Sequence, residues 1–442
     1  MLENEGVALR AIRWSEIFPW LSLAKCFRLA VSLRLVTFGA AAVLLTLLGW
    51  WEIAGVFSHQ TAVESKDGQT MAVPNSSWTG AFQGQSVWQV IDHAVPSAPA
   101  QILSGIPDAT TPDAPGLKIH VAGPLFHTWA VLSGPAWRIL SIRSPALDET
   151  MTARDFFSLL ISALWSVMVW AYFGAAICRV AAVQLATGEQ VGWGAALRFA
   201  RAKWLAYFSS PLLPMLGVAL IVAPILVLGV LMKGDFLAAV AAVIWPVVLA
   251  GGFVMTILVA GVLLGWPLMW ATISVEGTDS FDALNRTYSY VFQRPLRYLF
   301  YAIVASLVGW LGWIVVETFA ASVIGLASWA ASWGAGAARM QELTAGSGAH
   351  AATAIIAFWA GWVKLLAIGY SFSYFGVAST GIYYLLRRDV DARETDEVFL
   401  DDDTSEQKFG LPKREKDSAG APEVSEDAAA KDGSADGKEK GD

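Results

Sequence analysis

The sequence predicts an all-α fold: a polytopic transmembrane helix bundle of about six spans, with interfacial amphipathic helices and a small extracytoplasmic insertion. Three observations carry this reading. Of the 442 residues, 55% are hydrophobic and only 15% are charged, whereas soluble chains carry roughly 25% charged residues. Six apolar stretches are each long enough to cross a hydrocarbon core of roughly 30 Å as a helix. The chain holds 21 tryptophans, a residue that favours the bilayer interface because its ring is apolar and its N–H needs a partner.

Residues 1–33 read as a cytoplasmic amphipathic segment, with Ile17, Trp20, Leu21 and Leu23 set among Lys25 and Arg28. The early mixed charges, Glu3, Glu5, Arg10 and Arg13, do not match the short basic start of a cleaved signal peptide. Residues 34–56 are therefore expected to be an uncleaved signal anchor and the first span. The 57–155 segment follows as an extracytoplasmic insertion, too long for a hairpin loop. Pro112, Asp113, Pro115 and Gly116 mark a loop there. A short strand is expected at 119–121, and the apolar stretch 125–140 is expected on the outer leaflet.

Residues 156–386 hold the other five spans, at 156–182, 205–232, 236–272, 299–328 and 351–386. The fourth contains Pro246, Gly251, Gly252, Gly261, Gly265 and Pro267, the residue types at which membrane helices bend. Orientation follows from the basic residues near the span ends. Lys25, Arg28 and Arg34, then Arg179, Arg198, Arg201 and Lys203, then Arg286, Arg294 and Arg297, then Arg387 and Arg388 all fall on one side. Both termini are thus expected in the cytoplasm, and the protein in a bacterial inner (plasma) membrane. The basic amphipathic turns suit anionic lipid headgroups, at about 1 kcal/mol per cation.

A short internal repeat is visible. Gly188-Glu189, Ala196-Leu197 and Trp204-Leu205 have their counterparts in Glu276-Gly277, Ala283-Leu284 and Tyr298-Leu299. Each is a turn, an amphipathic helix and a new span, and the 14–35 segment has the same character. Three such units would build six spans, an organisation found among transporters. Asp279 or Ser280 is a suitable N-cap for the helix that follows.

The segment Ile273-Ser274-Val275-Glu276-Gly277, followed by Ala283-Leu284-Asn285-Arg286-Thr287-Tyr288, resembles the cytoplasmic turn of uncharacterised bacterial polytopic membrane proteins. It is similar to the membrane domain that accompanies some glycerophosphodiester phosphodiesterases, with its E-G…A-L-x-R-[ST]-[WY] turn. The likeness covers one repeat; the counterpart near Gly188 lacks the Arg and Thr. The resemblance implies a helical membrane domain and carries no activity with it.

Residues 387–442 form an acidic cytoplasmic tail. From Asp389 onward there are 18 acidic and 8 basic residues, so the net charge of −7 belongs to the tail and the preceding body carries +3. That composition is expected to stay disordered. Phe399 and Leu400 interrupt it as an apolar pair able to dock a cytoplasmic protein partner.

Within the spans, two ionisable residues stand clear of the interfaces. Glu317 lies about 26 Å and Lys364 about 31 Å from the cytoplasmic ends at 1.5 Å per residue. An intramembrane ion pair between them is the expected arrangement. No catalytic motif is present: there is no H-E-x-x-H, G-x-S-x-G, P-loop or G-x-G-x-x-G pattern. Five histidines, His59, His93, His120, His127 and His350, lie on the predicted outer side in no metal-site spacing. His120 and His127 are close enough in sequence to meet across a loop. Neither Cys26 nor Cys178 belongs to a disulfide framework. No cofactor, metal or nucleic acid is called for. The functional expectation is a non-enzymatic scaffold or assembly factor with a docking tail; the alternative is a transporter or channel subunit that uses the Glu317 and Lys364 region.

Overall fold

The computed structural model describes residues 18–57, 60–64, 70–74, 87–94, 119–141, 153–344, 351–393, 397–400, 414–416 and 422–424. After a 3₁₀ turn at Pro19–Ser22, the helices are α1 (Leu23–Ala30), α2 (Leu33–Phe57), α3 (Val87–Ala94), α4 (Ile119–Ser141), α5 (Ala153–Thr187), α6 (Trp193–Ala202), α7 (Trp204–Leu231), α8 (Asp235–Glu276), α9 (Ser280–Gln293), α10 (Pro295–Ala335), α11 (Ala337–Thr344) and α12 (Ala351–Asp391). Two antiparallel ladders accompany them, β1 (Gln60–Glu64) with β2 (Thr70–Pro74) and β3 (Arg414–Lys416) with β4 (Pro422–Val424).

Six helices, α2, α5, α7, α8, α10 and α12, are long and apolar enough to cross a membrane. The chain is a multi-pass integral membrane protein of the all-α bundle class. Each span begins and ends within a few residues of the hydropathy boundaries, except α8, α10 and α12, which continue to 41 or 42 residues. At 1.5 Å per residue such helices reach about 60 Å, so their ends extend beyond the hydrocarbon. The apolar surface that lipid must cover is carried by residues such as Leu220, Phe236, Val243, Val247 and Phe253 on the α7–α8 hairpin, and Leu311, Val315 and Phe319 on α10.

The arrangement repeats three times. Helices α5, α8 and α12 run in the same direction and pack on one another at the centre. Each receives a short helix from the unit that follows: α6 lies on α5, α9 on α8, and α1 closes the ring on α12. The returning spans stand outside: α2 against α12 and α5, α7 against α8 and α5, and α10 against α12. The closest backbone approach joins α2 to α12, where a Cβ on Gly39 would collide with the Gly369 carbonyl and one on Gly369 would meet the Val36 oxygen at 2.6 Å. Only glycines permit that spacing.

Helix α4 is the main departure from the sequence reading. Instead of a strand at 119–121 and a surface segment at 125–140, one helix enters the bundle. Gly123 lies against Ser306 and Trp310 of α10. Thr128 Oγ1 is 3.3 Å from Ser371 Oγ of α12. Trp129 and Ser133 bond to Leu263 and Trp266 of α8. The helix therefore packs on α10, α12 and α5 and is linked to α8 by tryptophan side chains, and Leu125, His127, Thr128 and Ser133 are buried. Gly123 interrupts it with φ 66° and ψ 160°, a conformation open to glycine alone. Hydropathy missed this segment because Pro124, Pro135, Gly123 and Gly134 dilute its apolar run.

Candidate functional site

The densest chemistry lies at the end of the bundle where the basic residues collect, and its centre is Glu276. The last turn of α8 carries this carboxylate, and Gly277 then ends the helix in the left-handed conformation, φ 66°, as a helix C-cap requires. Asp279 caps the next helix, its Oδ1 accepting from the Asp282 N–H at 2.9 Å. Helix α9 thereby turns back under α8 and brings Arg286 to Glu276 Oε2 at 3.2 Å. From α12, Arg387 Nε reaches Glu276 Oε1 at 3.0 Å and the Tyr383 hydroxyl donates to the same oxygen at 3.1 Å. Just past α12, Arg393 stands 3.5 Å from Oε2.

Glu276 and Arg387 are almost fully buried, at 9% and 3% side-chain exposure. A charge so placed is tolerated only when it is paired. The hub is extended on both sides. Arg387 also donates to the Glu397 carbonyl at 2.7 Å and to its carboxylate at 3.2 Å. Tyr290 of α9 donates to Asp391, and Tyr301 and Arg297 of α10 hold Asp389 at 2.7 and 2.9 Å. Partial burial alone would lower the pKa of Arg286, but Glu276 and Asp282 outweigh it and the net shift is upward. Burial, followed by the Asp391 carboxylate, raises the Tyr290 hydroxyl.

The remaining end of α8 is capped from the neighbouring unit. Arg179 of α5 donates to the Ser274 carbonyl at 2.9 Å with its guanidinium 4.1 Å above the Phe199 ring, and Lys203 donates to the Gly277 carbonyl at 2.6 Å. Cations at a helix C-terminus are favourable because its last carbonyls lack partners. The motif residues of the 273–288 turn thus have structural roles here. Glu276 pairs with Arg286, Thr287 packs on Gly265 and Tyr288 on Gly261, and the Tyr288 hydroxyl bonds to the Leu258 carbonyl at 2.6 Å. Both Glu276 oxygens are engaged by donors, an arrangement suited to holding helices together.

The residues singled out from the sequence fall elsewhere. Glu317 of α10 and Lys364 of α12 are buried, at 0% and 1% exposure, in neighbouring helices; Trp313 adjoins the Glu317 carboxyl one turn away. Phe399 and Leu400 are 41% and 45% exposed, shortly after the anchored Glu397. Among the histidines, His127 is buried in α4. His120 shares that helix, seven positions back with the Gly123 kink between them, so the two do not flank a loop. His93 belongs to α3, and His59 and His350 lie outside the described residues. No group of three or more metal-capable side chains occurs among the described residues. Cys26 and Cys178 are free and buried.

Sequence reasoning noticed the Glu276–Gly277 turn and Arg286 but not the hub they form. Its other members, Tyr383, Arg387 and Arg393, lie more than 100 positions away, and only the return of α12 to the foot of α8 joins them.

Neither a family model, nor a curated protein, nor a solved structure matches this chain.

Proposed function

We propose that the chain is a non-enzymatic membrane scaffold whose basic end faces the cytoplasm and whose acidic tail captures a cytoplasmic protein. The observation that carries this reading is the fixed root of the tail. Arg393 ion-pairs with Glu276, and Glu397 accepts from Arg387, so the chain leaves the bundle from a braced position. Phe399 and Leu400 follow within three residues of that brace. A docking peptide gains affinity when its attachment point is already ordered, because less freedom is lost on binding. The basic residues around the same end, such as Arg198, Arg201 and Arg294, suit anionic headgroups.

The double substitution Phe399→Ala/Leu400→Ala tests the reading. Affinity purification from native membranes in a mild detergent is expected to lose a partner that the intact chain retains, with the bundle's thermal stability unchanged. An unaltered set of partners would contradict it.

A transporter or channel reading has one observation in its favour, the burial of Glu317 and Lys364 within the spans. It also requires a polar passage. Among the described residues, one space between α4, α5, α8 and α12 measures about 10 Å³ and is lined mainly by Leu132, Trp170, Ile177, Trp270, Phe372 and Phe375. That is room for one water at most. The scaffold reading rests on the braced root of the tail.

A further inference from the structure

We infer that the free side of α8, in the outer part of the α7–α8 hairpin, is an interface between two copies of this chain, in which Trp245 of each copy donates to the Ala242 carbonyl of the other.

The hairpin stands out from the bundle. Only 6% and 11% of the most apolar stretches of α7 and α8 are buried, against 28% to 50% in the other four spans. The buried residues of α7 all lie at 207–214, and those of α8, apart from Ala241, all lie at 261–275. Between these limits the two helices lean on each other: Gly217 lies against Leu258, and Gly251 against Ile221. The returning span of the first unit, α2, is held between α12 and α5 instead.

Gly251 faces α7, and Ala242 lies about two and a half turns away on the opposite side of α8. That side carries Ala242, Trp245, Leu249 and Thr256 at helical spacing, all exposed. It also holds an acceptor and a donor that the chain itself leaves over. Pro246 has no N–H to give the Ala242 carbonyl. Among the described residues no side chain donates to that carbonyl, and the Trp245 indole has no acceptor. Twice elsewhere the chain meets a carbonyl freed by proline with its own indole: Trp129 serves Leu263, and Trp270 serves Tyr207. Exposed Phe236, Leu237, Val240 and Val243 separate Trp245 from the polar turn at 233–235. The pair thus lies at hydrocarbon depth, where lipid tails supply no hydrogen bond.

A second copy supplies both partners. A two-fold axis along the membrane normal sets the two α8 helices side by side in the same direction and brings equal residues to equal depth. A helical side chain slants towards the N-terminus and covers the turn before its own Cα, so the Trp245 indole stands at the depth of Ala242. Each indole then meets the Ala242 carbonyl of the other copy, and the small Ala242 side chain lets the backbones approach. A face that carries one donor and one acceptor at matching depth is complementary to itself.

The test uses the full chain in phosphatidylethanolamine–phosphatidylglycerol vesicles at high lipid dilution. In a Cys26→Ala/Cys178→Ala background, Ala242→Cys and Leu249→Cys are each expected to give a disulfide-linked dimer on oxidation. Val243→Cys and Val247→Cys, on the lipid-facing side, are expected to stay monomeric. The chain with its own cysteines, which needs no such background, should appear as two copies in native mass spectrometry from the same vesicles. Gly252→Leu should reduce it to one. Nothing lies within 4 Å of a carbon added at Gly252 in the single chain, so the melting temperature of the monomer should hold while the added bulk, two turns below Trp245, keeps a neighbouring helix away. Trp245→Phe should lower the dimer fraction several-fold. Single chains under every condition, equal cross-linking on the two sides of α8, or dimers that ignore both Gly252→Leu and Trp245→Phe would each overturn the proposal.

Discussion

Trp129 of α4 donates its indole N–H to the Leu263 carbonyl of α8 at 2.7 Å, and Leu263 is the residue whose helical partner is missing because Pro267 stands four positions on. Proline has no N–H, so the carbonyl four residues back is left without its donor. A second pair repeats the device: Pro211 frees the Tyr207 carbonyl, and Trp270 donates to it at 2.9 Å. In hydrocarbon a carbonyl without a partner is costly. Two of the many tryptophans therefore serve as interior caps, a role separate from the interface preference read from composition.

Trp129→Phe should consequently destabilise the protein by about 1–3 kcal/mol, measured by thermal unfolding in detergent. The same change in a Pro267→Ala background should cost clearly less, because the backbone N–H that alanine restores at that position can serve Leu263. Equal losses in the two backgrounds would show that the indole bond does not compensate for the proline.

The Glu276 hub predicts a strong asymmetry between single and double substitutions. Glu276→Gln leaves buried Arg387 with only the exposed Glu397 carboxylate as its counter-charge, and breaking a buried pair costs about 3–5 kcal/mol. Replacing Glu276 and Arg387 together with Gln and Met should cost less than either single change. The double-mutant cycle on melting temperature reads the difference directly.

At the closest helix approach, Gly39→Ala should force α2 away from α12. Overpacking of this kind costs about 1–3 kcal/mol. Gly55→Ala, where nothing lies within 4 Å of the added carbon, is the matched control and should have little effect on the melting temperature.

Cys26 offers a chemical check on α1. Burial raises its thiol to about 12, from an ordinary 9.0, with a backbone hydrogen bond opposing in part. A raised pKa favours the protonated form, so the thiolate stays scarce through the pH range in which an exposed cysteine ionises. In a Cys178→Ala chain, maleimide modification of Cys26 at pH 8 should be far slower than in the denatured protein. The contribution of this burial to stability is fully present below pH 9 and is lost as pH rises towards 12. Rapid labelling of the folded chain would mean that α1 does not stay packed on Val377 and Gly381.

The spans were legible because about 20 apolar residues in a row have few other physical solutions, and the basic turns marked where they end. Asp279 was readable as a cap for the same local reason. The burial of α4 was not legible, because it depends on surfaces of α5, α10 and α12 that come together only after the three units assemble. Glu276 was visible as part of a turn, yet its partners Tyr383, Arg387 and Arg393 come from the last helix and the start of the tail. Glu317 and Lys364 were found from charge alone, since an ionisable residue inside an apolar run needs no tertiary information to stand out.

The measurement that tests the scaffold most directly is affinity purification from native membranes of the full chain beside a chain ending at Glu397. That end point keeps Arg393 on Glu276 and Glu397 on Arg387, so the bundle and the root of the tail stay whole. The account predicts that a cytoplasmic partner held by the full chain is lost from the shortened one while both melt at the same temperature. The same partners on both chains would contradict it.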